Sequence, residues 1–158
     1  MQKITPFLWY DTQAEEAAKF YVSIFPKSKI LKMAWYGDAG PGPKGSVMTV
    51  EFELAGQRMI ALNGGPHFKF TEAISLSVDC KDQKEVDRYW TRLSQGGQES
   101  MCGWLKDKYG LSWQVNPSIL GKLLSDKDAK KAQRVMEAML KMKKIDIAAL
   151  KAAAEAKS

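Results

Sequence analysis

One order of elements occurs twice in this chain, and an internal repeat leaves few folds open. ITPFLWYD reads as a strand over 4–10, short and rich in aromatic residues. Asp11 or Thr12 offers an N-cap, Ala14, Ala17, Ala18, Tyr21 and Phe25 recur at helical spacing, and Pro26 stops the helix. SKILKMAWYG, SVMTVEFEL and QRMIALN follow as three strands, with DAGPGPKG as a loop and AG as a turn. The order β-α-β-β-β then begins again. AISLSVD is a strand over 73–79, KDQKEVDRYWTRLSQ a helix ended by Gly96-Gly97, and ESMC, WLKD and GLSWQV are three strands. An offset of 69 lays Phe20-Tyr21 on Tyr89-Trp90 and Trp9 on Val78, and an offset of 54 lays Gly56 on Gly110 and Met59 on Trp113. The second unit has the shorter middle, consistent with its missing Gly/Pro loop. The pattern predicts an α+β fold of two βαβββ modules, 1–66 and 67–120, making one domain over 1–120.

After Pro117 the pattern turns helical, which predicts a C-terminal helical extension over 121–158. Asp126 or Asp128 caps DAKKAQRVMEAMLKMKK, and Asp146 caps the alanine-rich DIAALKAAAEAK. Val135, Met136, Met139, Leu140 and Met142 form an apolar stripe expected to pack on the body of its own subunit or of a second one. The formal net charge of +6 is concentrated here: residues 1–120 carry 14 Lys/Arg against 13 Asp/Glu, residues 121–158 carry 10 against 5. These lysines sit on a helical pattern without interleaved aromatics, which predicts a solvated face rather than a nucleic-acid surface. No run of about 18 apolar residues implies a membrane span. The N-terminus has no signal-peptide pattern, so Cys80 and Cys102 are expected as free thiols of a cytoplasmic protein.

The two modules, FLWYDTQAEEAAKFY at the start, LNGGPHFKF in the middle and CGWLKDKYGLSWQV near the end resemble the vicinal oxygen chelate superfamily of glyoxalases, bleomycin-resistance proteins and dioxygenases. The resemblance is to its PhnB-like branch, often labelled 3-demethylubiquinone-9 3-methyltransferase, and covers residues 3 to about 150. It implies strands curled into a cupped, barrel-like mixed sheet, and a homodimer. No glycine-rich strand-to-helix turn is present to bind a methyl-donor cofactor, so methyl transfer is not expected.

Superfamily enzymes hold a divalent metal with His, Gln or Glu from the first and last strand of each module. Carried onto this chain, those positions fall near Ile4, near Ile60 or Leu62, near Ala73 or Ser75, and at Gln114. Only Gln114 has the expected donor type, whereas a divalent site needs several oxygen or nitrogen ligands. Strand alternation puts Ile74, Leu76, Val78, Trp113 and Val115 under the helix and Ser75, Ser77, Asp79, Ser112, Gln114 and Asn116 in the cup. The same phase on the first strand turns Thr5, Phe7 and Trp9 to the helix and Ile4, Pro6, Leu8 and Tyr10 inward, with Arg58, Ile60 and Leu62 in the cup. The candidate ligand pocket is therefore Tyr10, His67, Phe68, Ser75, Ser77, Trp104, Ser112 and Gln114, with no metal and no cofactor.

His67, the sole histidine, follows Gly64-Gly65-Pro66 in the connection between the modules, where it either lines the pocket mouth or sits in a turn. Cys102 is expected as a packing residue, and DCKD places acids around Cys80 that oppose a thiolate. Glu51 and Glu53 share a strand face and are expected to be solvated. GGPHF and GPGPKG lack the spacing of phosphate loops and read as turns. The leading reading is a dimeric protein that binds a small organic ligand without a catalytic metal. The rivals are a metal-assisted enzyme with relocated ligands, such as His67 with Glu51 or Glu53, and a dimeric interaction protein. No nucleic-acid or membrane partner is expected.

Overall fold

A computed structural model describes residues 2–157. The chain divides into two compact units, Met1–Phe70 and Thr71–Ser158. The first contains β1 (Phe7–Tyr10), α1 (Ala14–Ile24), β2 (Lys29–Trp35), β3 (Val47–Leu54) and β4 (Gln57–Asn63). The second repeats the order with β5 (Ser75–Cys80), α2 (Gln83–Ser94), β6 (Gln98–Glu99), β7 (Trp104–Lys106) and β8 (Ser112–Pro117), then adds α3 (Ser118–Leu124), α4 (Ala129–Leu140) and α5 (Ile147–Glu155).

Each unit holds one four-stranded mixed sheet, in the orders β1-β4-β3-β2 and β5-β8-β7-β6. The module's first strand runs parallel to its last, and the other pairs are antiparallel. Both sheets are open, so the barrel-like expectation narrows to two separate sheets. Leu54 and Gln57 pair across Ala55 (φ 47°) and Gly56 (φ 88°), the two left-handed positions that a two-residue hairpin turn requires.

In the first unit α1 lays Ala14, Ala17, Ala18, Tyr21 and Ile24 on Val50, Phe52, Met59 and Ala61 of the sheet, all buried. Three alanines on one helical stripe let the backbone approach the strands closely. In the second unit Val86, Tyr89, Trp90 and Leu93 of α2 cover Leu105, Trp113 and Val115. Asp82 caps α2 by accepting from Glu85 N at 2.9 Å. Neither Asp11 nor Thr12 caps α1: the N-cap position is Gln13, without a side-chain bond. Instead Asn63 Oδ1, at the end of β4, accepts from Ala14 N at 2.8 Å.

The C-terminal helices close a small core of their own, in which Leu120, Val135, Ile145, Leu150 and Ala154 are buried. The methionine stripe divides. Val135 is buried and Met139 and Met142 pack against it, while Met136 and Leu140 stay exposed. Backbone and side-chain bonds lash this core to the second sheet and to α2. Cys102 N and Gly103 N donate to Met142 O (2.7 Å) and Lys143 O (2.8 Å). Gln83 donates to Ile145 O at 3.0 Å and accepts from Ile147 N at 2.8 Å. Lys144 meets Asp87 at 2.9 Å, and Asp87 lies below the usual carboxylate range through its hydrogen bonds from Gln83 and Lys144. No helix among the described residues is long and apolar enough to cross a membrane.

Candidate functional site

On the second sheet, the side turned away from α2 carries a polar ladder. Parallel pairing sets Ser75 beside Ser112, Ser77 beside Gln114 and Asp79 beside Asn116. Period-two alternation sends these six side chains to one face while Leu76, Val78, Trp113 and Val115 go under the helix, as the sequence pattern predicts, but Ile74, expected beside them, precedes β5 and is exposed. Gln114 Nε2 donates to Ser75 Oγ (3.0 Å), and Asn116 Nδ2 donates to Ser77 Oγ (3.1 Å) and Gln114 Oε1 (3.3 Å). Ser118 Oγ, the first residue of α3, donates to Asp79 Oδ1 at 2.7 Å. Ser112 lies at the far end of the ladder, buried, with its hydroxyl making no hydrogen bond.

A surface cleft of about 460 Å³ opens over the other end of this ladder. Asp79, Trp104, Gln114 and Asn116 form its floor, Cys102 and Ser118 its sides, and Leu120, Gly121, Leu124 and Met139 its helical wall. The structure thus brings together Trp104 and Gln114 among the expected site residues, with Ser75 and Ser77 bonded to Gln114 and Asn116 on the same face. Asp79, Asn116 and Ser118 were not among the expected pocket residues. The first two have the right strand phase, whereas Ser118 is brought in only by the turn from β8 into α3.

The first strand has the opposite phase to the one expected. Leu8 and Tyr10 lie under α1, both buried, with Tyr10 Oη 3.0 Å from Tyr21 Oη and its ring edge-on to Phe70. Phe7 and Trp9 take the other face, beside Ile60 and Leu62. Tyr10 therefore belongs to the core of its unit. The cause is one residue: β1 and α1 are separated by three residues (11–13), β5 and α2 by two (81–82). The helices superimpose at an offset of 69, but the first strands at 70, and a one-residue slip turns every strand side chain to the opposite face.

His67 is exposed in the segment after β4, and Phe68 stands edge-on to Trp9 at 4.9 Å, 66 % exposed. Trp9 Nε1 donates to Gly65 O at 2.8 Å, which fixes the start of that segment. Gly64 is required there because a Cβ would lie 2.3 Å from the Trp9 ring. A second cleft, of about 400 Å³, forms where the two Gly/Pro loops meet Asp11, Thr12 and Glu15, and it includes Pro66 but not His67. Tyr36 Oη ties the loops together by donating to Asn63 O at 2.5 Å.

Glu51, one of the paired carboxylates, lies 3.3 Å from Arg58 Nε, and among the described residues no three His, Cys, Asp or Glu groups come together to hold a metal. Cys80 is buried under α2. Burial, then the charges of Glu85, Asp79 and Asp82, push its thiol up to about 12. Both cysteines are free.

The family model described as 3-demethylubiquinone-9 3-methyltransferase matches residues 2–116. The PhnB protein of Bacillus cereus is 39 % identical over 74 % of this chain and all of its own, with a TM-score of 0.68. This chain belongs to the PhnB-like family. A Pseudomonas aeruginosa protein (22 % identity, 74 % of this chain and 98 % of that one, TM-score 0.62) and the fosfomycin resistance protein FosX of Mesorhizobium loti (13 %, 80 % and 100 %, TM-score 0.56) share the fold. No curated protein matches the chain. The family match stops at 116, so α3, α4 and α5 lie beyond it, and with them the helical wall of the cleft.

The FosX of Listeria monocytogenes is described in complex with Mn(II) and sulfate. The positions that the family resemblance assigns to metal ligands, near Ile4, Ile60 or Leu62, Ala73 or Ser75, and Gln114, do not supply the donor set of a divalent ion in this chain. The far face of the first sheet presents Phe7, Trp9, Ile60 and Leu62 with Glu51 beside Ile60, and that of the second presents hydroxyls, Asp79, Asn116 and the Gln114 amide, whose oxygen already accepts from Asn116. The carboxylates on these faces are already engaged, Asp79 by Ser118 Oγ and Glu51 by Arg58 Nε, and among the described residues no three His, Cys, Asp or Glu groups gather there.

Proposed function

We propose that this PhnB-like protein binds a small organic ligand on the far face of its second sheet, without a catalytic divalent metal, and does so as a homodimer. The observation that carries the reading is the cleft floored by Trp104, Gln114 and Asn116. An aromatic surface beside side-chain amides held by their own hydrogen bonds is the balance of area and orientation that small-molecule sites use. The dimer draws support from large apolar side chains left in solvent on the first unit, Phe7 (60 %), Trp35 (56 %) and Phe68 (66 %).

Calorimetric titration of the chelator-stripped protein with Zn(II), Ni(II) and Mn(II) tests the metal half, and the expected result is no stoichiometric heat. Tight one-to-one binding of any of the three overturns it. Native mass spectrometry of the purified protein tests the ligand half. A bound organic mass that Gln114→Leu removes supports it, and a bound mass insensitive to that change overturns it.

A further inference from the structure

We infer that the cleft in the second unit takes a small organic cation, and that the C-terminal extension builds the wall that makes it a site. The inference rests on the ligand-binding reading above and adds the chemical class. Hydrogen-bond accounting gives the first argument. Asn116 spends its amide hydrogens on Ser77 Oγ and Gln114 Oε1, and Ser118 spends its hydroxyl hydrogen on Asp79. Gln114 sends one of its own to Ser75. The floor offers the Asp79 carboxylate and the Asn116 carbonyl oxygen as acceptors, beside the second Gln114 amide hydrogen and the Trp104 indole N–H as donors, so a ligand that brings positive charge or donors is met at the Asp79–Asn116 end.

Charge gives the second argument. The chain carries a formal +6, with Lys and Arg concentrated in the tail, yet the cleft lining has one carboxylate and neither Lys nor Arg. The Ser118 bond fixes that carboxylate at the strand end. Trp104 adds an indole ring, whose face attracts cations. Gly121, Leu124 and Met139 supply hydrocarbon and thioether surface for the uncharged part of the ligand, and all three follow residue 116, where the family match ends. The family core by itself therefore has the floor without the wall.

Three probes of nearly one shape separate charge from shape: choline, 3,3-dimethylbutan-1-ol and 3,3-dimethylbutyrate, titrated into the full-length ¹⁵N-labelled protein. Choline is expected to move the Trp104 indole and Asn116 side-chain amide signals and to saturate at about tenfold lower concentration than the alcohol, the scale of a cation–π contact plus a charged hydrogen bond. Asp79→Asn is expected to erase that preference. Gly121→Phe is expected to block binding with the fold retained, because open space surrounds a Cβ at that position. If the alcohol or the butyrate moves the same signals at equal or lower concentration, the cleft is a ligand site of another class and the cation inference is wrong. Retention of the choline preference in Asp79→Asn overturns it as well. If none of the three probes moves these signals, the cation inference falls, while the ligand-binding reading is decided separately by the native-mass experiment.

Discussion

At residue scale, the buried polar groups show how local chemistry holds the second sheet in place. Asp107, 2 % exposed, accepts from Tyr109 N (2.8 Å), Leu111 N (3.1 Å) and Trp113 Nε1 (2.9 Å), so one carboxylate shapes the β7–β8 turn and anchors a core indole. Asp107→Ala leaves those donors buried without a partner and is expected to lower stability by roughly 2–4 kcal/mol in urea unfolding. Cys80 gives a pH signature. Its thiol ionises near 9.0 when unfolded but only near 12 when folded, so the unfolded chain binds fewer protons between those values. The contribution is whole below about pH 9 and declines as pH rises toward 12. Cys80→Ala is expected to flatten the alkaline limb of a stability–pH profile, and native alkylation at pH 8 is expected to modify Cys102 while sparing Cys80 until denaturant is added. An equal alkylation rate at both thiols would contradict the buried placement.

At element scale, the tail is bound into the second unit rather than appended to it. Ile145 and Leu150 are fully buried in its small core, and truncating either to Ala is expected to cost about 2–5 kcal/mol, read as a fall in the urea midpoint. Gln83→Ala removes both bonds that pin the segment leading into α5 to α2. It is expected to increase hydrogen exchange at Ile147 and Leu150 and to leave β1–β4 unchanged. Elements of strong periodicity were legible from the sequence: α2, α4 with Asp128 as one of its two candidate caps, α5 with Asp146, and the alternation of β5 and β8, whereas the Asp82 cap of α2 was shown by the structure. The phase of β1 was not. Four residues carry too short a pattern to fix which face is apolar, and a single extra loop residue before α1 decided it. The α1 cap was likewise out of reach, because Asn63 is 49 positions away in sequence.

At the scale of the whole molecule, sedimentation equilibrium is expected to return twice the chain mass, and Phe7→Glu to shift the population toward monomer. A wild-type chain that stays monomeric at micromolar concentration would remove the dimer. The repeated module and the order of its elements along the chain followed from the sequence, because period-two and period-3.6 patterns and the turn residues between them are local signals, whereas the order of strands within each sheet did not. The polar ladder could be read as far as which side chains share a face. That Asp79 is held by Ser118, that Trp104 and Met139 face one cleft, and that Tyr10 is core rather than pocket were decided only by tertiary structure. Each depends on register between segments distant in the chain, and register is set by packing and by loop length, which a side-chain pattern does not encode.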